Sequence, residues 1–362
     1  MASSLLFKIR YILWLFHKGK FRLIGNYFWM YFWEWSDLFS KTFLIRFFPW
    51  GVPYPPSIEI EPTTVCNLKC TICEHTYWNE KARNMSLEEF KGIVDQFPKL
   101  RWIGLTGIGS SFLNKNFLKM VAYVKNKSIL VELIDTFNHI DEKILDQVMD
   151  LEVDFYYISI YGATKETYEE VCIGSNFDKV MNNIKYLIKL KHDKKTLLPI
   201  INFHFIVNKQ NYHEMIPFLE LIHSLNAKEF QVLFTPLLHP FDETKDISVD
   251  IPLEKRDEIQ RRAKELGIRV IYNDCAQLDK PTISQCTAWL EPFIFATGHV
   301  VPCCAGNEAN QRDFQKKAAL GNVFEKSFKE IWYSEEYKKF REMVHEGITP
   351  VQCKGCSVYK TN

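Results

Sequence analysis

Three cysteines, Cys66, Cys70 and Cys73, lie on one short stretch with the spacing C-x3-C-x2-C. They follow the alternating segment 57–61, which predicts a short strand. Three thiolates on one loop can hold three corners of a cubane 4Fe-4S cluster and leave the fourth iron without a protein ligand. Zinc is the alternative, because His75 lies two residues beyond Cys73 and could complete a closed tetrahedral site. The spacing therefore predicts a metal centre close to the end of a strand.

A second group of cysteines lies near the C-terminal end of the sequence. Cys286 and Cys303 flank Gly298 in the pattern C-x11-G-x4-C, and Cys353 and Cys356 form a C-x2-C pair. Four thiolates can enclose a cluster completely. Zinc is again the alternative, because C-x2-C pairs are also typical of zinc ribbons.

Three more cysteines are not assigned to either group. Cys304 is ambiguous as a ligand because it adjoins Cys303, whereas Cys172 and Cys275 fall outside both patterns and are expected to be ordinary cysteines. Ten cysteines in a chain of 362 residues without a signal peptide indicate metal sites in a reducing compartment, which predicts a cytoplasmic protein.

The composition is that of a globular protein, with 47% hydrophobic and 25% charged residues. A formal net charge of +1 excludes long-range steering of a polyanion, so we expect no nucleic-acid partner. The first fifty residues differ from the rest, because seven Lys and Arg stand against Glu34 and Asp37, which gives +5 there and −4 in the remainder.

The basic first fifty residues are also rich in aromatic side chains. The eleven uncharged residues between Arg22 and Glu34 are too few for the roughly 20 that a spanning helix needs. We predict an amphipathic helical segment over 1–52. It would lie peripherally on the anionic inner face of a membrane, or pack over the rest of the protein or cover a cleft in it.

Beyond several prolines between 49 and 56, the chain alternates between strand-like and helix-like segments. Apolar or alternating runs predict strands at 57–61, 101–106, 129–135, 154–160, 199–207 and 228–234. Helical periodicity follows at 86–96, 115–126, 141–150, 177–191, 211–225 and 253–266, and the first helix begins with a capping box at Ser86. Six β/α units predict a parallel α/β sheet, closed or partly closed into a barrel. Chemistry in such barrels collects at the C-terminal ends of the strands, where the first cysteine loop falls.

The sequence CNLKCTIC at residues 66–73 resembles the signature of radical S-adenosylmethionine (SAM) enzymes. The resemblance implies a partial (β/α)6 TIM-like barrel with a 4Fe-4S cluster whose open iron is chelated by the amine and carboxylate of SAM. It also implies that SAM is cleaved to a 5'-deoxyadenosyl radical that abstracts a substrate hydrogen, with flavodoxin or ferredoxin as the electron donor. The cofactor carries the chemistry and the protein holds the reactants.

The same resemblance suggests SAM contacts at strand ends. Gly107 and Gly109 match a Gly-Gly-Glu-Pro turn that binds the SAM amine, but the acidic residue is replaced by Ser110, so the usual carboxylate is missing. Asn138 lies where relatives carry a Thr-Asn-Gly turn, and Ser159 lies in a segment similar to Ser-Leu-Asp-Gly-Ala. Serine and asparagine also occur at strand ends as turn residues without any ligand.

The C-x11-G-x4-C pattern is similar to the opening of SPASM domains, which hold auxiliary iron-sulfur clusters. No further cysteine follows Cys356, so the layout resembles the shorter, single-cluster version called Twitch. The resemblance thus divides the chain into a helical segment (1–52), a radical SAM barrel (53–274) and an auxiliary 4Fe-4S domain (275–362).

A closed cluster has no free iron for a substrate, so we expect it to accept an electron. The predicted reaction is oxidation of a carbinol to a ketone in a small-molecule or lipid-linked substrate such as a sugar, a cyclitol or a lipid-linked saccharide. A peptide-modifying SPASM enzyme and a non-catalytic iron-sulfur or zinc protein are the alternatives. The general base is not assigned; polar residues near predicted strand ends are His75, Tyr77, Asp135, Tyr161 and His204.

Overall fold

The computed structural model describes residues 5–35, 52–226, 230–237, 242–272, 282–304, 312–354, 356 and 359–361. The predicted domain boundary at 274/275 and Cys275, which we predicted to be an ordinary cysteine, lie outside these residues. The described strands are β1 (Ser57–Ile60), β2 (Lys69–Cys70), β3 (Trp102–Leu105), β4 (Leu130–Asp135), β5 (Phe155–Ser159), β6 (Cys172–Ile173), β7 (Ile200–Val207), β8 (Gln231–Pro236), β9 (Arg269–Tyr272), β10 (Phe293–Ile294), β11 (His299–Val301) and β12 (Gly321–Asn322).

The described helices surround this set of strands. They are α1 (Leu5–His17), α2 (Phe21–Trp35), α3 (Leu87–Val94), α4 (Phe117–Asn126), α5 (Glu142–Asp150), α6 (Lys165–Val171), α7 (Phe177–Asp193), α8 (Met215–Ser224), α9 (Leu253–Leu266), α10 (Arg312–Lys317), α11 (Phe328–Trp332) and α12 (Glu335–His345). Helix α3 begins with the predicted capping box, in which the Ser86 hydroxyl accepts from the Glu89 amide and the Glu89 carboxylate accepts from the Ser86 amide.

One large sheet runs in the order β12-β11-β10-β1-β3-β4-β5-β7-β8-β9. All neighbouring pairs from β10 to β9 are parallel, and the six predicted strands lie in this run in chain order. Helices on the outside bury one face of the strands, so β3 is buried along its whole length and reads as an apolar run without alternation. The predicted partial (β/α)6 barrel is therefore confirmed.

The sheet contains strands that sequence patterns did not predict. Strand β9 extends the parallel run by one strand, and β10 pairs with β1 in parallel although it lies more than 230 residues later in the chain. The auxiliary-domain strands β10, β11 and β12 thus continue the barrel sheet at its first strand. The short pair β2 and β6 stands apart and ties the cysteine loop to the segment after α6.

Helices α1 and α2 form a hairpin that covers the base of the barrel, where the parallel strands begin. A cluster of buried apolar side chains joins them to the sheet: Tyr11, Leu15, Leu23, Tyr27 and Met30 on the helices, with Trp102, Leu130, Phe155, Leu198 and Ile200 at or just before the first residues of the strands. Polar contacts reinforce it, since the Tyr11 hydroxyl donates to Asp154 (3.3 Å) and the Asn26 amide donates to the Ser128 carbonyl (2.8 Å). Because strand C-termini lie at the other end, this hairpin does not cover the cleft where the cysteine loop lies.

The first fifty residues therefore form helices as predicted, over the part that the structure describes. None of the helices in the described residues is both long and apolar enough to cross a bilayer.

Candidate active site

A cavity of about 220 Å³ opens at the C-terminal ends of the strands. Its lining brings together residues that are far apart in the sequence: Cys66, Cys70, Cys73, Glu74, Gly107, Gly109, Ser110, Asp135, Ser159, Tyr161, His204 and Thr235 are among them. The three loop cysteines, the glycine turn and Ser159 were predicted to lie together, and the fold brings them to one cavity.

The cysteine loop is held by the pairing of β2 with β6, which places Cys70 opposite Cys172. A hydrogen bond with the Cys172 side chain and burial raise the pKa of the Cys70 thiol well above its usual value, and burial raises that of Cys73. Thiols in such a place stay protonated until a metal binds, because the positive metal compensates the charge of the thiolate that forms. Cys172, which we expected to be an ordinary cysteine, thus lies beside a predicted cluster ligand.

The donor set fits an iron-sulfur cluster. All three predicted ligands line one cavity, and each of the Cys66 and Cys73 thiols is influenced electrostatically by Cys70. No three His, Cys, Asp or Glu side chains in the described residues converge as ligands of a single metal ion. A cubane differs from a single ion because each thiolate binds a different iron atom. His75, the alternative fourth ligand, is not among the residues that line the cavity.

The glycine turn after β3 packs tightly against the start of the cysteine loop. A Cβ atom on Gly109 would lie 2.4 Å from the Thr63 carbonyl oxygen and 2.7 Å from that of Val65, so only glycine fits there. The Ser110 amide donates to the Val65 carbonyl at 2.8 Å. This hydrogen bond holds the turn beside the cysteine loop. The predicted SAM contacts Gly107, Gly109 and Ser110 therefore line the same cavity as the three cysteines.

Asp135, at the end of β4, lies next to this turn. Its carboxylate accepts hydrogen bonds from the Ser110 hydroxyl (3.2 Å) and the Phe137 amide (2.7 Å). Burial raises the pKa of Asp135 to about 6, although both hydrogen bonds act to lower it. The sequence placed Asp135 among several unassigned polar residues, and only the fold shows that it adjoins Ser110.

Glu61 connects the turn to the auxiliary domain. Its carboxylate accepts from the Ile108 amide (3.2 Å), the Ala296 amide (3.1 Å) and the Arg312 guanidinium (2.7 Å), and it is fully buried. Arg312 also lies over the ring of Phe295, 4.2 Å from its centroid. Sequence reasoning missed both Glu61 and Arg312, because their partners are up to 251 residues apart.

The opposite wall of the cavity is formed by β5, β7 and β8. His204 Nε2 lies 2.9 Å from the Thr235 hydroxyl, and burial lowers the pKa of His204 to about 4. Ser159 is the strand partner of His204, and burial raises the pKa of the nearby Tyr161 well above its usual value although the Ser159 side chain acts to lower it. Of the polar strand-end residues, Asp135, Tyr161 and His204 therefore line this cavity.

Asn138 lies outside the lining. Its amide group donates to the Tyr168 hydroxyl (2.7 Å) and its carbonyl oxygen accepts from the Asn176 amide (2.9 Å), so it ties the loop after β4 to α6 and α7. Its contacts are those of a structural residue.

A second cavity, of about 350 Å³, adjoins the first and shares Glu74 with it. It is polar and partly aromatic; Tyr77, Trp78, Asn79, Glu80, Glu243, Arg312 and Asp313 line the rest of it. Tyr77, another polar strand-end residue, therefore lies here, with its hydroxyl donating to the Thr71 carbonyl at 3.0 Å.

The four predicted auxiliary ligands also lie near one another. Burial raises the pKa of Cys286 to about 11, with a contribution from Cys356, and burial together with Cys303, Cys286 and Cys356 raises the pKa of Cys353. Cys304 is exposed and is not among the groups that act on Cys286 or Cys353. Four neighbouring thiols, of which that of Cys286 is buried and the other three are partly buried, are a donor set that fits a closed iron-sulfur site.

Comparisons with known proteins agree with this arrangement. The radical SAM superfamily matches residues 60–222, and SPASM, an iron-sulfur cluster-binding domain, matches residues 286–357. The chain is 26% identical over 322 residues to the tungsten-containing aldehyde ferredoxin oxidoreductase cofactor-modifying protein of Pyrococcus furiosus, covering 83% of this chain and 87% of that protein.

Two solved structures share the fold. SuiB of Streptococcus suis bound to S-adenosylmethionine has a TM-score of 0.64 at 15% identity, over 84% of this chain and 71% of SuiB. The protein anSMEcpe with bound AdoMet has a TM-score of 0.60 at 17% identity, over 80% of this chain and 84% of that one. Residues 60–222 therefore form a radical SAM domain, whose cofactors are a 4Fe-4S cluster and SAM, and residues 286–357 form a SPASM-type iron-sulfur domain.

Proposed function

We propose that this enzyme oxidises a carbinol of a polyhydroxylated small molecule, such as a sugar or a cyclitol, to a ketone. The observation that carries the proposal is the second cavity, which adjoins the SAM cavity through Glu74. Carboxylates accept hydrogen bonds from hydroxyl groups, and Glu243 and Asp313 face this space. The rings of Tyr77 and Trp78 offer flat apolar surfaces to a sugar ring.

The cofactors supply a hydrogen-abstracting 5'-deoxyadenosyl radical and, in the auxiliary domain, a one-electron acceptor. We assign Cys66, Cys70 and Cys73 to the first cluster, and Cys286, Cys303, Cys353 and Cys356 to the auxiliary one. The residues Gly107, Gly109, Ser110 and Ser159 border the SAM cavity and would position SAM.

The reaction balances without an external oxidant. The carbinol carbon loses a hydrogen atom, and its hydroxyl group then loses a proton while the substrate radical gives up one electron. The products are the ketone, 5'-deoxyadenosine, methionine and a proton. The electron that the substrate radical gives up equals the one consumed in SAM cleavage, so SAM is the net oxidant. The electron that starts the first cycle would come from a flavodoxin or ferredoxin.

His204 and Asp135 line the first cavity, where the carbinol end of the substrate would reach SAM, and they would handle the hydroxyl proton there. His204 is neutral at pH 7, since its pKa is lowered to about 4, so it can orient a hydroxyl group by hydrogen bonding. A base is most effective when its pKa lies near the working pH, and the pKa of about 6 for Asp135 meets this condition.

The test begins with anaerobically reconstituted protein, SAM and dithionite, and 5'-deoxyadenosine is measured by chromatography. A Cys66/Cys70/Cys73→Ala variant should form none, whereas Cys304→Ala, which changes an exposed cysteine outside the group, should match the wild type. We expect about eight irons per wild-type chain, as two 4Fe-4S clusters require, and about four in Cys286→Ala/Cys353→Ala.

The substrate class is tested with polyols and cyclitols that carry deuterium on a carbinol carbon. Transfer of deuterium to 5'-deoxyadenosine together with a carbonyl product would support alcohol oxidation. Transfer without any carbonyl would contradict it. Trp78→Ala should raise KM for the alcohol without changing SAM affinity, because Trp78 lines only the second cavity.

A second candidate function is modification of a peptide or of another enzyme's cofactor. It is favoured by the relative from Pyrococcus furiosus, described as a cofactor-modifying protein, which aligns with 83% of this chain. A cross-linked or otherwise altered peptide or metal cofactor, formed with 5'-deoxyadenosine and without a ketone, would select this function.

We further propose that the exposed side of the α1–α2 hairpin contacts an anionic bilayer. We define the base patch as Ile9, Leu13, Phe16, Phe21, Phe28 and Trp29, which are 42% to 61% exposed. Arg10, Lys18 and Arg22 are exposed beside it, which matches acidic lipid headgroups.

Vesicle flotation tests this contact. Wild type should float with phosphatidylglycerol-containing vesicles and lose binding in high salt, and Leu13→Glu/Phe16→Glu should not float. The matched control Leu253→Glu/Ile348→Glu changes two equally exposed apolar residues elsewhere and should float normally. Equal flotation of all three proteins would remove the membrane proposal.

A further inference from the structure

A buried arginine of the auxiliary domain, Arg341 on α12, has no acidic partner among the described residues. Its side chain is fully buried. Its Nη2 atom donates to the Trp332 carbonyl at 2.7 Å, whereas Nε and Nη1 have no hydrogen-bond partner in the described part of the chain. The groups that act on its charge are Tyr333 and Tyr337, and no Asp or Glu of the described residues is among them. Burying a cation is costly unless a negative charge lies nearby, so this position favours a neighbouring anion.

Aromatic rings enclose the Arg341 side chain. The guanidinium carbon lies 4.3 Å from the ring centroid of Trp332, 4.4 Å from that of Tyr337 and 5.5 Å from that of Trp289. Contacts of this kind stabilise a cation but leave its net charge uncompensated. Burial lowers the pKa of Arg341 to about 10, so the guanidinium is still charged at pH 7.

The buried Arg312 shows the contrast. It also lies over aromatic rings, but it pairs with Glu61 at 2.7 Å and with Glu80 at 3.2 Å. Its charge is therefore balanced within the protein. Arg341 has the rings without the carboxylates, so its charge is free to act on other groups of the auxiliary domain.

The rings around Arg341 connect it to two of the predicted ligands of the auxiliary cluster. The Trp289 indole N–H donates to the Cys286 carbonyl at 3.0 Å. Cys303 is one of the groups that act electrostatically on Tyr337. The Tyr337 hydroxyl is buried and has no hydrogen-bond partner in the part of the chain that the structure describes. Unpaired donors and an uncompensated positive charge thus lie beside the cysteines that would hold the cluster.

Four thiolates make a closed iron-sulfur cluster a net anion, and reduction adds one more negative charge to it. A fixed positive charge nearby stabilises the more negative state, and the surrounding charges and hydrogen bonds are among the factors that set the reduction potential. We propose that the Arg341 guanidinium supplies the compensating charge beside the auxiliary cluster and raises its reduction potential, so that acceptance of an electron is favoured.

This inference rests on the auxiliary cluster that the proposed function uses as electron acceptor, but not on the substrate or the product. The measurement is a redox titration of anaerobically reconstituted protein without SAM or substrate, followed by electron paramagnetic resonance, with iron counted in every sample. The signal that is absent from Cys286→Ala/Cys353→Ala identifies the auxiliary cluster. Failure of alcohol oxidation would leave this potential unchanged, so the two proposals can fail separately.

Arg341→Gln removes the charge and keeps an amide donor for the Trp332 carbonyl. We expect it to shift the equilibrium between the two states of the auxiliary cluster about tenfold towards the oxidised state, which corresponds to a potential about 59 mV lower for one electron. Arg341→Lys keeps a positive charge beside the anionic cluster and should stay within about threefold of wild type. Lys339→Gln is the matched control, because it removes an exposed charge from the same helix, where water and salt screen it, and it should leave the potential unchanged.

Three results would overturn the proposal. An unchanged potential in Arg341→Gln would show that the charge does not act on the cluster. An equal fall in Arg341→Gln and Arg341→Lys would show that packing or water access, and not charge, sets the potential. Loss of the auxiliary iron from Arg341→Gln would show that Arg341 only holds the domain together.

Discussion

At the scale of single residues, the buried pair of Glu61 and Arg312 joins the barrel to the auxiliary domain. Replacing Glu61 by Gln removes the carboxylate at 2.7 Å from Arg312 but leaves that of Glu80 at 3.2 Å, so we expect a loss of about 1–3 kcal/mol in the free energy of unfolding. Denaturant unfolding measures this loss. The double variant Glu61→Gln/Arg312→Met should recover much of it, and the exposed-pair variant Asp178→Asn should change stability by under about 1 kcal/mol.

His204 gives a pH-dependent prediction at the same scale. Its pKa is about 4 in the folded protein and near 6.5 when unfolded, so the unfolded chain binds more protons between these values. The contribution of His204 to stability is therefore complete above pH 6.5 and is lost as the pH falls towards 4.

The check is the difference in unfolding free energy between wild type and His204→Gln at pH 5 and pH 7. The difference should favour wild type more strongly at pH 7. Asp135 has a raised pKa and acts in the opposite direction, losing stability as the pH rises through about 6, but it is present in both proteins and cancels. If wild type and His204→Gln differed in unfolding free energy by the same amount at pH 5 and pH 7, the lowered pKa of His204 would be contradicted.

The role of a residue was predictable from the sequence only where its partners lie close to it along the chain. The spacing of Cys66, Cys70 and Cys73 predicted their proximity, because ligands on one loop need no knowledge of the fold. Asp135 and Thr235 could not be assigned, since the partner of Asp135, Ser110, lies in the turn after β3 and the partner of Thr235, His204, lies on β7. Asn138 matched a family segment by position, but its hydrogen bonds go to the helices behind the cavity.

At the scale of elements, the sequence pattern predicted the six strands and their helices, because the strands are short apolar or alternating runs and the helices have one apolar face. It missed β9 and β10, which lie at the two ends of the parallel run. Strand β10 has only two residues and is stabilised by pairing with β1, a contact that no local pattern contains. The helical nature of α1 and α2 was predicted, but not that they close the base of the barrel.

The hairpin of α1 and α2 allows a test of that closure. Leu15 is fully buried among side chains at the start of the strands, so Leu15→Ala should cost about 2–5 kcal/mol through lost burial and a cavity. The exposed neighbour Leu13→Ala should change stability by less than about 0.5 kcal/mol. Thermal unfolding of the two variants measures the difference, and similar values would mean that the hairpin does not dock on the barrel.

At the scale of the whole molecule, the base patch and the SAM cavity lie at opposite ends of the barrel. A strand of six residues such as β4 spans about 20 Å, so a bilayer at the base would leave the cavity open to water. This arrangement favours a substrate that arrives from the aqueous side over a saccharide anchored in the same leaflet. Membrane contact would then set where the enzyme works without taking part in the chemistry.

Membrane binding and SAM cleavage should therefore be separable. We expect Leu13→Glu/Phe16→Glu to abolish flotation while forming 5'-deoxyadenosine at the wild-type rate, because both side chains point away from the barrel and are more than half exposed. Wild type bound to anionic vesicles should also keep its rate, as measured by chromatography. A rate that changed with vesicles for the wild type but not for the variant would mean instead that the bilayer reaches the cavity, and a lipid-linked substrate would become the better hypothesis.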